Sequence, residues 1–210
     1  MILQRLQVKS PRFEALTELV QLVTGLFLLA FIQVHLFAVS TIIISAKSFN
    51  DYSAKLEHYY LAQVGIPLVI LAIIIHGLVA MRKAPWNIQE ARVLFQHSKR
   101  LAHLDTWLWV VQILTGFMIL VLAASHIASV FATWPIDAAT SVKRVQGGYF
   151  TFFVLLILAG EIHGMVGLYR ILVKWSWIQR KKFTKLLVYA TVFFVALGLV
   201  TLCVLYFKRF

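Results

Sequence analysis

Five stretches dominated by apolar residues, at roughly 17–46, 60–81, 106–132, 148–173 and 184–207, constrain this chain more than any other feature. A helix crosses a hydrocarbon core of ~30 Å with ~20 residues at 1.5 Å each, so every stretch is long enough to span a bilayer. Backbone groups in lipid must be satisfied within their own segment, which makes the spans helices. The fold class expected is all-α, a polytopic membrane protein of five transmembrane helices in a single domain. The composition agrees: 61% of the 210 residues are hydrophobic and only 13% charged, about half the charged fraction of a soluble domain. The stretches leave no room in these residues for a soluble catalytic domain. The first stretch is too long for a signal peptide and no small-residue cleavage pattern follows it. Pro85 and Pro135 fall just outside spans, as helix-end signals do. Pro67 falls inside the second, which predicts either a kink or a later start for that helix.

The net charge of +12 does not indicate a nucleic-acid partner. Of the 20 lysines and arginines, alternate connecting segments hold 14 and 6. The positive-inside rule then places the N-terminus and the connections around 82–105 and 170–185 in the cytoplasm. That basic face suits anionic membrane lipid or a partner subunit. The lone cysteine, Cys203, allows no internal disulfide and no iron–sulfur or zinc cluster of several cysteines.

Four of the seven histidines, His35, His76, His126 and His163, lie within spans, one on each of the first four. Intramembrane imidazoles are costly and functional by default. His58, His97 and His103 lie in connections or at helix ends and read as solvated. His76 and His163 precede Arg82 and Arg170 by six and seven residues on inward-running helices, which sets both ~10 Å from the cytoplasmic rim. His35 and His126 lie on outward-running helices, over twenty residues beyond Arg12 and Asp105, in the outer half. Counting thus predicts an inner pair and an outer pair.

The chain also repeats. "VTGLFLLAFIQVH" (23–35) matches "LTGFMILVLAASH" (114–126), and "HGLVAMR" (76–82) matches "HGMVGLYR" (163–170), at offsets of 91 and 87 residues. Two helix pairs of like topology predict a pseudo-two-fold axis along the membrane normal, with the fifth helix an addition. Such an axis sets equivalent histidines face to face. Zinc favours three or four ligands. A di-iron carboxylate site wants several glutamates, where Glu161 is the only acid deep within a span. Haem needs one ligand on each face, which a facing pair supplies. Iron with both axial positions filled by protein has electron transfer as its role. Gly77 and Gly164 directly follow two of the histidines; Gly25 and Gly116, ten residues before the others, fall nearer the depth of the inner pair.

The segments "HGLVAMRKAPWN" (76–87), "HLDTWLWVVQILTGF" (103–117) and "AGEIHGMVGLYRILVKW" (159–175) carry a wider likeness. The chain resembles the single-chain, five-helix, di-haem cytochrome b subunits of fumarate reductases and succinate:quinone oxidoreductases, over residues 14–207. The resemblance implies two b haems, with His35 and His126 as ligands of the outer iron and His76 and His163 of the inner. It implies that Gln21, His103, Trp109, Arg170 and Lys174 lie near the haems and their propionates. It implies a proton-relay role for Glu161 and a quinone-site acid near the start of the second helix, matched by Glu57 or Asp51. Menaquinol or menaquinone is the implied substrate. Implied partners are an iron–sulfur subunit and a flavoprotein carrying FAD, since this chain has neither a cysteine cluster nor a dinucleotide loop. The implied location is the bacterial cytoplasmic (inner) membrane. A dimer of such heterotrimers is compatible with the sequence and not decided by it. Neither are the direction of the reaction and the haem potentials. Two alternatives remain: a di-haem anchor of a hydrogenase or formate dehydrogenase, and a haem-free protein whose histidines line a proton path.

Overall fold

The computed structural model describes residues 10–176 and 180–209, except for the side chains of Lys174 and residues 180–182. Among the described residues there is no strand. The chain forms α1 (Pro11–Ser40), α2 (Ala46–His58), α3 (Leu61–Met81), α4 (Ile88–Leu101), α5 (Leu104–Phe131), α6 (Ala138–Arg144), α7 (Phe150–Lys174) and α8 (Arg180–Phe207). Five segments are long and apolar enough to cross a membrane: Pro11–Ile43, Leu61–Met81, Leu104–Phe131, Ala138–Val173 and Phe183–Phe207. The protein is a multi-pass membrane protein.

Local chemistry sets the helix ends. Ser10 caps α1, its Oγ accepting from Phe13 N at 3.3 Å, and Pro11 occupies the first turn where no N–H is needed. Asn87 and Glu90 box the start of α4: Asn87 Oδ1 accepts from Glu90 N at 2.8 Å, and the Glu90 carboxylate returns to Trp86 N at 3.0 Å. Asp137 caps α6, accepting from Thr140 N at 2.7 Å. Gly148, with φ of 105°, makes the break between α6 and α7 that a side chain would strain.

Two connections expected as loops are amphipathic helices. α2 buries Phe49 at the end of the bundle expected to face outward, here called the outer end, and α4 packs along α5 at the opposite, inner end. Their mixed composition hides them from a search for apolar runs. α3 runs unbroken from Leu61 through Pro67, so the later start is ruled out. The proline ring leaves the Gln63 carbonyl without its usual donor, which membrane helices tolerate.

The spans form two pairs, α1 along α3 and α5 along α7. α1 also touches α7, α3 and α5 make no extended contact, and α8 lies against α1 and α7. The close-packed core sits at the outer end. There Ile42, Phe49, Ala138, Val142, Val145, Leu202 and Leu205 join the end of α1 to α2, α6 and α8. α1 meets α7 closely because Gly160 and Gly164 lack side chains. A Cβ on them would stand 2.7 Å from Ile32 Cδ1 and 2.8 Å from Leu29 Cδ1. Small residues four apart are a common way for membrane helices to approach. On α1, Glu14, Gln21, Leu28 and His35 recur every seven residues, and on α5 Asp105, Gln112, Ile119 and His126 do the same. That spacing keeps each set on one helix face.

Candidate haem-binding site

The structure brings the four intramembrane histidines together in two pairs. His35 on α1 faces His126 on α5, with ring centroids 6.1 Å apart and planes inclined at 60°. His76 on α3 faces His163 on α7, at 6.3 Å and 79°. In each pair the helices are diagonal to one another across the bundle. Two imidazoles sharing one metal at ~2 Å each, with centroids ~1.2 Å behind their nitrogens, would stand ~6.4 Å apart. Both observed separations match. Among the described residues no three histidine, cysteine or carboxylate side chains gather. Each site therefore offers two nitrogen donors, suited to a group that brings its own equatorial ligands. A b haem is such a group, and these residues fit it.

Depth follows from contacts across helices. His163 stands beside Thr115, and His126 lies eleven residues further along the same helix. At 1.5 Å per residue the pairs are ~16 Å apart along the axis. The inner pair is held by hydrogen bonds. His163 Nδ1 lies 3.1 Å from Thr115 Oγ1 and 3.1 Å from the Gln112 carbonyl. His76 Nδ1 lies 3.1 Å from Thr24 Oγ1, and its ring bonds the Gln21 carbonyl. Gly25 and Gly116 make room for these rings: a Cβ on either would come within 3.1 Å of the imidazole Cε1 of His76 or His163. The outer pair has aromatic neighbours instead. Phe31 stacks on His35 at 5.5 Å, and Phe153 meets His126 edge-on at 5.5 Å. His126 Nδ1 is buried without a partner.

The remaining sequence-predicted residues are spread along the bundle. Gln21 contributes its carbonyl to His76. His103 caps α5, its Nδ1 accepting from Asp105 N at 3.3 Å, and its side chain is exposed. Trp109 is half-buried on the first turns of α5. Arg170, one turn before the end of α7, lies within the field of Asp105, a carboxylate that also accepts from the Tyr169 hydroxyl at 3.2 Å. Lys174 closes α7, with its side chain outside the described residues. Glu161 is 1% exposed, and both its oxygens lie 3.1–3.3 Å from Gln33 Nε2 on α1. Asp51 is exposed and Glu57 half-buried, both on α2 at the outer end.

Sequence reading missed Thr24, Thr115 and Gln112, although the match of "QLVTG" (21–25) with "QILTG" (112–116) carries them. It also missed Gln33, whose partner lies 128 residues away. Arg144 was missed as well. It bonds Thr133, acts electrostatically on His126, and keeps a buried Nε without a partner.

The family described as succinate dehydrogenase/fumarate reductase transmembrane subunit matches residues 88–202. The fumarate reductase cytochrome b subunit of Helicobacter pylori (strain J99) is 32% identical over 208 residues, covering 92% of this chain and 81% of the relative. The chain belongs to this family. The fumarate reductase cytochrome b subunit of Wolinella succinogenes is likewise 32% identical, over 211 residues, with 92% and 82% covered. As a transmembrane subunit of the succinate dehydrogenase/fumarate reductase family, the chain has the role of a membrane anchor.

Proposed function

We propose that this chain is the cytochrome b subunit of a quinol:fumarate reductase or succinate:quinone oxidoreductase. It would carry electrons between menaquinol or menaquinone in the membrane and an iron–sulfur subunit. The observation that carries this reading is the pair of facing histidines at each of two depths, 6.1 and 6.3 Å between rings. His35 and His126 would hold an outer b haem and His76 and His163 an inner one. When bound, the haems supply two one-electron centres stacked across the bilayer.

The chain's own residues do the rest. Thr24, Thr115 and the carbonyls of Gln21 and Gln112 orient the inner imidazoles. Arg144, with its free buried Nε beside His126, would pair with a carboxylate of the outer haem. At the inner end Arg170 and Lys174, with His103, Trp109 and Gln21, would receive the inner propionates. Glu161, buried between α7 and α1 against Gln33, would take up and release a proton as electrons pass. Asp51 or Glu57, at the outer end, would accept the quinol proton. The basic connections 82–105 and 170–185 would dock the iron–sulfur subunit, which passes electrons to a flavoprotein. The N-terminus would then be cytoplasmic and the membrane the bacterial inner membrane. The repeat of α1–α3 in α5–α7 would make both haem sites products of one pseudo-symmetric unit.

The test is a reduced-minus-oxidised spectrum with haem quantitation on the purified complex and on its His35→Ala and His76→Ala variants. Two b haems per chain, each variant lacking a different one, is the expected result. No haem, or one haem indifferent to both changes, overturns the reading.

A further inference from the structure

We propose that Thr24 and Thr115 are positioning residues that fix the proton on Nδ1 of the inner histidines and leave Nε2 with its lone pair. The inference rests on the haem reading above and goes beyond it, because it assigns the two sites different ligand chemistry. A threonine hydroxyl has one proton. Thr115 Oγ1 gives its proton to the Val111 carbonyl at 2.7 Å, and Thr24 Oγ1 gives its own to the Val20 carbonyl at 2.7 Å. Toward the imidazole each oxygen can then only accept. For His163 the second neighbour of Nδ1 is the Gln112 carbonyl, which also only accepts. A nitrogen 3.1 Å from two acceptors must carry the hydrogen. Nε2 is left with its lone pair, and it receives the Gln112 amide Nε2–H at 3.2 Å, as that tautomer requires. At His76, Nδ1 likewise lies 3.1 Å from Thr24 Oγ1, and the Gln21 carbonyl acts on the same ring. Gly25 and Gly116, each next to its threonine, open the space that lets the ring approach.

The outer pair lacks the device: His126 Nδ1 is buried and unpartnered, and the rings lean on Phe31 and Phe153. A histidine that donates its far N–H is a stronger and better oriented metal ligand, and losing that partner typically costs ~10–100-fold in affinity. A stronger donor also favours ferric over ferrous iron. The inner site is therefore tuned by hydrogen bonds that the outer site does not have.

The experiment replaces Thr115, and separately Thr24, by valine and by serine in the full chain within its complex. Potentiometric titration, the low-spin resonance spectrum and the rate of haem transfer to a haem-free acceptor protein are then recorded. The inner haem is identified as the one lost in His76→Ala. Each valine variant should raise the midpoint potential of the inner haem, shift its resonance and hasten its loss at least tenfold, with the outer haem unchanged. Serine should restore the original values, since it keeps the hydroxyl. Two haems present with neither signal moved, or both moved alike, overturns the proposal while leaving the haem reading intact. A wild-type chain without haem fails that reading instead. If a valine variant does not accumulate, Thr115→Ala and Thr24→Ala are read by the same criteria.

Discussion

Gln33 and Glu161 form the polar junction between α1 and α7, the Gln33 amide nitrogen lying 3.3 and 3.1 Å from the two carboxyl oxygens. Each residue stands two positions before an intramembrane histidine, Gln33 before His35 and Glu161 before His163. On a helix that offset turns the pair away from the histidine face. The junction therefore sits between the levels of the two histidine pairs, on the seam that Gly160 and Gly164 close.

If Glu161 relays protons, Glu161→Gln should separate binding from turnover. The amide keeps the size and the hydrogen bond to Gln33 but cannot release a proton at neutral pH. Haem content should stay at the wild-type value, and quinol-linked fumarate reduction should fall by at least ~100-fold, the lower range for loss of an acid–base group. Steady-state assays beside haem quantitation decide this, and unchanged turnover refutes the role.

Gln33→Leu should destabilise the bundle without removing either histidine pair. It leaves the Glu161 carboxyl buried with no donor, at a cost of ~1–3 kcal/mol. Thermal unfolding in detergent should show a lower Tm for this variant than for Gln33→Asn, which retains an amide.

The α1–α7 seam should resist enlargement. A methyl on Gly160 would meet Ile32 Cδ1 at 2.7 Å, a flexible tip that can yield; a leucine there cannot be accommodated by one tip moving. Gly160→Ala should be mild, and Gly160→Leu should cost ~1–3 kcal/mol or more by overpacking. The Leu variant should also retain less haem, read from the absorbance ratio of haem to protein.

At the inner ends, Arg82 contacts Glu14 at 2.7 Å, and Tyr169 donates to Asp105 at 3.2 Å. These are repeat equivalents, since Glu14 and Asp105 are 91 residues apart and Arg82 and Tyr169 are 87 apart. The Arg82–Glu14 pair is partly exposed, with side chains 21% and 41% accessible. A double-mutant cycle should therefore return under ~1 kcal/mol of coupling, shrinking further in 1 M salt. A coupling of several kcal/mol contradicts this screening.

The cap of α6 should persist into acid. The Thr140 N–H, and after it the Thr140 hydroxyl, the Ala139 N–H and Lys143, hold the Asp137 carboxyl below its ordinary value against a small effect of burial. A carboxyl lowered in the folded state stabilises above its unfolded value of ~3.9 and loses that contribution as pH falls through the folded value. Asp137→Ala should cost ~1 kcal/mol at neutral pH, and the difference from wild type should fade only well below pH ~4. A fading that begins near neutrality counts against the assignment.

The sequence by itself determined the spans and the depths of their histidines. Hydropathy is a property of each segment alone, and 1.5 Å per residue converts position into depth without reference to neighbours. The repeat likewise announced that equivalent histidines pair, His35 with His126 and His76 with His163. The tertiary structure decided which faces meet. That Thr115 reaches His163 and that Gln33 finds Glu161 depend on how each helix is rotated about its axis and on which neighbour it takes. Lipid tails are as apolar as the helices, so hydropathy does not choose among those rotations. Glycines at the seams and polar groups seeking partners choose instead, and their partners lie up to 128 residues away in the chain. The amphipathic α2 and α4 were decided there too, because their apolar faces acquire meaning only against the ends of the bundle.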